Sequence, residues 1–272
     1  WRSISSRLPE GLSMANGRLE ATEVQIASKT PGRLAEVLVN EGDRVQKHQL
    51  LARLDTRTLE ASRAQAEAEV LRAKQTLAAA EANVQLRLSR QLLDQQQSRL
   101  ETSDAAVNAA QAQVGASQAA IGAAQAQVAQ LTSEIDDSSL LAPIDGIVQI
   151  RLAEPGEVLG AGGRVLLLID ANDQYMNLYM PAAQAGALAI GDDARIVLDA
   201  LPEQPLPAKI SFVAAKSQFT PKEVETRDER QKLVFRVKLH LTDPAAVPQA
   251  KPGMPGAGYV RTQSMDWPAN LQ

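Results

Sequence analysis

Apolar residues follow three rhythms along this chain, and each rhythm predicts a different kind of element. From Gly32 to Asp55 (GRLAEVLVNEGDRVQKHQLLARLD), Leu34, Val37 and Val39 lead into the turn NEGDR, and Val45 and the run Leu50, Leu51, Leu54 follow it. From Gly146 to Asp170 (GIVQIRLAEPGEVLGAGGRVLLLID) the pattern returns as Val148, Ile150 and Leu152, the turn AEPGE, and Val165 through Ile169. Short branched runs around an acidic glycine turn predict strands, with Gly42 and Gly156 in equivalent places supplying a positive φ that side chains with a Cβ resist. Neither copy is large enough to bury a core alone, so the two are expected to face each other as one small β-sandwich.

The second rhythm fills the roughly ninety residues between the copies. No proline occurs from Thr58 to Asp137, and Leu100, Val107, Val114, Ile121, Val128 and Ile135 keep a step of seven, with Ala110, Ala124 and Leu131 between them. Val70, Leu77 and Val84 do the same earlier, flanked by Leu59, Ala66, Ala73 and Ala80. A sustained step of seven winds helices around one another, and small alanines allow close approach. Because both ends must return to one sandwich, the helices are expected to run antiparallel as a coiled-coil hairpin. Asp55 or Thr56 is placed to cap the first helix, while Pro143 and the Asp145-Gly146 turn follow the second. An arm of about 40 residues reaches about 60 Å. With the reversal placed at Arg90 to Leu92, the arms come out unequal, roughly 33 against 45 residues, which leads us to expect tip residues missing between Gln91 and Leu92.

The third rhythm is alternation. Strands are predicted at 174–180, 194–200, 208–214, 232–241 and 257–262, and with 17–28 they make six, joined by one short helix at 181–189. Six such strands suit a closed barrel, which leaves no edge free. The expected fold class is therefore α+β, elongated and multidomain: an antiparallel α-helical coiled-coil hairpin inserted into a split lipoyl-like β-sandwich, plus a six-stranded β-barrel. The expected division is a membrane-proximal segment at 1–16, the first barrel strand at 17–30, sandwich halves at 31–55 and 139–170, the hairpin at 56–138, the barrel at 171–262 and a second membrane-proximal segment at 263–272. Those two end segments are too short for a further membrane-proximal domain, which is expected to be rudimentary or absent.

Composition narrows the function. Only 3% of the 272 residues are aromatic, and alanine, glutamine and leucine dominate the middle third, which favours long helices over a large enzyme core. A net charge of −4 without a basic block argues against nucleic acid as partner. There is no cysteine, so disulfides, thiolate catalysis and Cys-ligated zinc are excluded. No run approaches the roughly 18 apolar residues of a membrane span, although Trp1 beside Arg2 fits a chain continuing from a membrane anchor.

Candidate chemical groups have simpler readings. His48 falls in the polar turn of the first copy and His240 alternates within a strand, so surface or barrel-wall roles are favoured over a triad or zinc site. Asp136, Asp137 and Asp145 sit where helix ends and turns use carboxylates. Met176, Leu178 and Met180 share one strand face and read as core, while Met14 stands apart, so no thioether set for copper converges. No Gly-rich phosphate loop occurs. No catalytic, cofactor-binding or metal residue is assigned.

The paired halves resemble the lipoyl, or biotinyl-carrier, fold. In carriers a tight turn between the halves presents a modified lysine; here the halves are joined by the long insertion, and Lys47 and Lys74 read as a loop and a solvent-facing helix residue. The whole pattern, carried by ANGRLEATEVQIASKTPGRLAEVLVNEGDRVQKHQLLARLD, LLAPIDGIVQIRLAEPGEVLGAGGRVLLLID, GDDARIVLDALPEQPLPAKISFVA and KPGMPGAGYVR, resembles the periplasmic adaptors, or membrane fusion proteins, of the haemolysin-secretion (HlyD) type. The stretch QFTPKEVETRDERQKLVFRVKL looks like the branch serving ABC-type exporters.

The resemblance implies a non-enzymatic adaptor in the periplasm of a Gram-negative bacterium, held at the inner membrane by an N-terminal anchor. It further implies a ring, commonly of six copies, between an inner-membrane transporter and a TolC-like outer-membrane channel; the architecture itself leads us to expect flexible joints linking hairpin, sandwich and barrel. Family hairpin tips touch the channel through Arg, Leu and Ser near the turn; the corresponding candidates are Arg87, Arg90, Leu92, Leu93 and Ser98, without the family's Gly-Ala/aromatic-Ile-Ser tip. Two other classes compete: a biotinyl or lipoyl carrier, which would show a modified lysine, and a coiled-coil scaffold without a transport role.

Overall fold

The structure is a computed structural model and describes residues 9–95, 100–216, 234–268 and 271. A long strand, β1 (Leu12–Ala27), precedes β2 (Gly32–Val37), β3 (Arg44–Val45) and β4 (Leu50–Leu54). Two long helices follow, α1 (Arg57–Gln95) and α2 (Leu100–Asp137), and then β5 (Ser139–Leu141), β6 (Gly146–Arg151) and β7 (Val158–Leu159). A second long strand, β8 (Arg164–Pro181), leads through α3 (Ala182–Ala185) into β9 (Asp193–Leu198), β10 (Leu201–Val213), β11 (Val234–Leu241) and β12 (Pro255–Arg261).

The two copies do form one sandwich. One layer has the order β5-β4-β2-β7, and the other is made by β3, β6, the first half of β8 and the second half of β1. Leu34, Leu51 and Leu54 from the first copy and Val165, Leu166 and Leu168 from the second fill a single core with almost no exposed surface. Val37 packs against the cluster that contains Val148, so the halves share that core rather than each owning one. The copies also exchange backbone bonds: Leu34 N–H donates to Glu157 O and Val148 N–H to Asp43 O, at 2.8 and 2.9 Å. Gly42 and Gly156 carry φ of 89° and 96°, the left-handed conformation their turns require.

The barrel closes in the order β1-β12-β9-β10-β11-β8, with β1 returning to β8. Leu19, Met176, Leu178, Met180, Ile196 and Leu239 line its interior, so the two strand methionines are core residues. Outside the wall, Met265, Trp267 and Leu271 cover Leu12, Val197 and Tyr259, and the Trp267 ring lies about 5 Å from the guanidiniums of both Arg195 and Arg261.

Several boundaries differ from the sequence reading. Strand β1 starts at Leu12, well before residue 17, because Leu12 to Arg18 pair with β12 before the strand crosses to β8. Strand β8 does not stop at Asp170; it continues from the sandwich into the barrel, so β1 and β8 are shared by both bodies as one antiparallel pair. The reversal expected at Arg90 to Leu92 is also corrected. Helix α1 runs unbroken through that stretch to Gln95, the arms are 39 and 38 residues, and the imbalance that suggested missing residues between Gln91 and Leu92 disappears. The cause is local: LRLSRQLLDQ contains only residues that a helix accepts, and nothing stops it.

Between the arms, Ala66, Ala80, Val107, Ala110 and Leu131 are buried, as the step of seven requires. Ser117 is buried with them at the seam position between Val114 and Ile121, where a small side chain fits although a polar one gives no apolar signal.

Candidate functional site

The hairpin is anchored at its root by side-chain hydrogen bonds and ion pairs. Asp55 accepts from the Arg57 N–H and, at 2.6 to 3.1 Å, from the Arg57 guanidinium, while the Thr56 hydroxyl donates to Glu60. The Arg57 side-chain bond, followed by its backbone N–H, holds the Asp55 carboxyl down to about 2. At the other root, Asp137 pairs with Lys29 at 2.8 Å, which ties the end of α2 to the loop between β1 and β2. Asp145 accepts from the Lys47 N–H at 2.7 Å and so joins the two sandwich copies, a turn duty as the sequence suggested. His48 occupies a turn with φ of 69° and donates its N–H to Ala142 O.

At the far end of the arm, the candidate contact residues divide between two faces of α1. Arg87 is half-buried on the side toward α2, and its neighbour Gln91 donates to Asp104 across the hairpin. Arg90 and Leu93 lie one turn apart on the outward side with Leu86, and Leu86 and Leu93 are 51% and 63% exposed. Leu92, 65% exposed, sits about 100° away around the helix. Ser98 lies outside the described residues. The structure thus brings Arg90 and Leu93 together, leaves Arg87 one turn before Arg90 toward α2, sets Leu92 on another face, and adds Leu86, which the sequence reading missed. The signal was present: Leu86 and Leu93 are seven apart, out of phase with the buried series that runs through Val84.

His240 lies on the outer face of β11 with its Nε2 2.9 Å from Asp173 Oδ1. The Thr22 hydroxyl also donates to Asp173; that bond, then the His240 bond, holds the Asp173 carboxyl below the usual carboxylate range against the effect of burial. A place in the barrel wall was expected for His240; the Asp173 partner was not. Among the described residues no three His, Cys, Asp or Glu side chains converge as metal ligands, and no helix is long and apolar enough to cross a membrane.

Residues 22–170 match the family described as RND MFP, barrel-sandwich hybrid domain. That span begins at the joint of the barrel and ends with the second sandwich copy. Among named relatives, a UPF0194 membrane protein of Citrobacter koseri is 31% identical over 92% of this chain and 88% of its own length. A UPF0194 membrane protein of Acidithiobacillus ferridurans is 29% identical over 87% of this chain and 83% of its own. In structure the chain is similar to MacA from Actinobacillus actinomycetemcomitans, with a TM-score of 0.76 at 18% identity over 93% of this chain and 79% of that one. It is also similar to the membrane fusion protein Spr0693 from Streptococcus pneumoniae, with a TM-score of 0.71 at 18% identity over 93% of this chain and all of that one. A split sandwich, a hairpin grown from its opening and a six-stranded barrel, with the family match covering more than half the sequence, place the chain in the membrane fusion protein family.

Proposed function

We propose that this chain is the adaptor subunit of a tripartite efflux or secretion system, joining an inner-membrane transporter of the ABC type to a TolC-like outer-membrane channel. In this reading the protein works in the periplasm of a Gram-negative bacterium, anchored at the inner membrane, in a ring of six copies. Residues 56–138 are the reaching arm, 31–55 with 139–170 the sandwich, which β1 completes with its second half, and 171–262 with the first half of β1 from Leu12 the barrel. Catalysis is no part of the proposal; the energy comes from ATP hydrolysed by the transporter.

The observation that supports it most is the outward stripe of Leu86, Arg90 and Leu93 near the end of a helix of 39 residues. At the standard rise that helix is about 58 Å long. Such an arm has little core of its own, and exposed leucines near its tip, beside a cation, suit a contact with another protein better than with water. Leu92 and Arg87 extend the proposed contact to the neighbouring faces, and Ser98 belongs to it by resemblance alone.

The test is complementation. In cells lacking the gene and sensitised to a panel of toxic compounds, the native chain is expected to restore resistance, and a Leu93→Asp, Arg90→Glu variant with unchanged circular dichroism is expected to fail. Full restoration by the double variant, or no sensitivity on deletion, would count against the adaptor reading and favour a scaffold.

A further inference from the structure

Among the described barrel residues, the large apolar side chains that stand exposed are Met14, Tyr179, Ile190 and Phe212, and all but Met14 meet at one corner. That corner is at the end of the barrel farthest from the sandwich. Strand β8 leaves the sandwich and reaches Tyr179 two residues before its end at Pro181, while β10 runs the same way and carries Phe212 just before its end at Val213. In register, Tyr179 stands opposite Arg236 and Phe212 opposite Lys238, and the Arg236 guanidinium lies over the Phe212 ring at 5.2 Å. Ile190 joins them from a tight turn. The Ala189 N–H donates to Asp192 Oδ2, Gly191 holds a φ of 98°, and the Gly191 N–H donates at 2.7 Å to Ile210 O, on the strand that carries Phe212. Turn tips ordinarily take small or polar residues, yet Ile190 is 69% exposed.

The charges at this corner favour an anion. Arg236 and Lys238 flank Phe212 from β11, and the exposed Lys216 follows β10 by three residues. The carboxylates of the neighbouring turn are engaged: Asp192 accepts within that turn, and Asp193 lies 3.4 Å from the Arg261 guanidinium. Residues 217–233, between β10 and β11, lie outside the described residues, and their four basic and four acidic side chains add no net charge. The whole chain carries −4, so the corner opposes the sign of the molecule.

We infer that this corner seats the end of the barrel directly on an anionic phospholipid surface, with Tyr179 and Phe212 at headgroup level, Ile190 dipping below it, and Arg236, Lys238 and Lys216 facing phosphates. Aromatic rings and Lys or Arg side chains favour the membrane–water interface, and a cation whose stem lies along a ring keeps its charge turned outward. These side chains project from strand ends and a turn tip. Mobile headgroups can match such an arrangement wherever it lands, whereas an acidic protein would have to match it residue by residue. Exposed apolar side chains gathered in one place also mark a surface that meets something other than water. The contact rests on the adaptor reading only in putting a membrane near the start of β1, which lies at this same end, where Leu12 pairs with Arg261.

The test is co-sedimentation of the purified chain with vesicles of phosphatidylcholine alone or with about a third phosphatidylglycerol. The chain is expected to bind the anionic vesicles, to bind the neutral ones far less, and to come off as salt rises from about 0.05 to about 0.5 M. Arg236→Gln and Lys238→Gln should each weaken binding about fivefold, and Ile190→Ser should weaken it at every salt concentration. Lys74→Gln, which removes a cation from the hairpin, should leave binding unchanged. Circular dichroism on each variant separates loss of the contact from loss of the fold. No binding to anionic vesicles, or a loss in Lys74→Gln equal to that in Arg236→Gln, would overturn the inference. Absent vesicle binding combined with failed complementation by the Arg236→Gln, Lys238→Gln chain would transfer the corner to an acidic protein surface and likewise overturn it. Complementation by the native chain stands or falls separately, so failure here leaves the adaptor reading in place.

Discussion

The Gly42 N–H donates to the carbonyl of Val148 at 2.7 Å, and the same bond recurs in the other direction, from Gly156 to Leu34, at the same length. The residue shift that converts Gly42 into Gly156 also converts Leu34 into Val148, so each copy of the repeat caps its partner's strand with its own turn. A domain made this way needs both copies at once, however far apart they lie in sequence, and it can carry an insertion at its opening without losing a rung.

The turn glycines are therefore expected to matter through backbone conformation alone. A Cβ at Gly42 or Gly156 meets nothing within 4 Å, so Gly42→Ala and Gly156→Ala should each cost only the left-handed penalty, about 1–2 kcal/mol. The reverse case is His48, which holds a φ of 69° where the second copy has Gly162 at 80°. His48→Gly relieves similar strain and adds about 0.5–1 kcal/mol of chain entropy, leaving a net change under about 1 kcal/mol. Thermal melts of the three variants check the pattern; a large loss in His48→Gly would show that its side chain does something else.

The equal arms predict how the hairpin tolerates shortening. Gln91 meets Asp104 near the tip, and Val84 lines the same groove as Gln111 and Val114, which fixes the register between α1 and α2. Removing residues 70–76 together with 121–127 takes one heptad from each arm, preserves that register and shortens the arm by about 10 Å. The melt should shift little. Removing either segment alone should unfold the hairpin distal to the cut, visible as lost helical signal by circular dichroism.

Acid should loosen the root of α1 only well below the ordinary carboxylate range. The Asp55 carboxyl is held down to about 2, so its contribution to folding is present above the ordinary carboxylate value of 3.8 and is lost as pH falls through about 2. Carbon-detected NMR titration should find that midpoint, and Arg57→Ala should move it upward toward the ordinary range. A midpoint near the ordinary value in the native chain would mean that the Asp55–Arg57 contact does not persist in solution.

Much of this architecture could be read from the chain because three periodicities of different length do not blur into one another. The paired glycine turns gave the sandwich, the step of seven gave the hairpin, and alternation around Met176 and Met180 gave the barrel. What was hidden has physical reasons too. The extent of α1 was misjudged at residue 91 because neither glycine nor proline marks where the arm ends, and favourable residues carry the helix on to Gln95. Ser117 was invisible in the seam because close packing selects for small size, which a hydrophobic pattern does not record. The joint was missed because β1 and β8 each serve two bodies, so a domain boundary falls inside a strand rather than in a linker. The outward leucine Leu86 was overlooked since, on sequence alone, it reads as one more coiled-coil residue.

The account rests most heavily on what the arm touches. A cysteine placed at Leu93, in a chain that otherwise has none, can carry a photoactivated crosslinker in intact cells, and mass spectrometry can identify the captured protein. Capture of an outer-membrane channel from Leu93, much reduced from an exposed root position such as Glu60, is the predicted result; capture of nothing but other copies of this chain would contradict it.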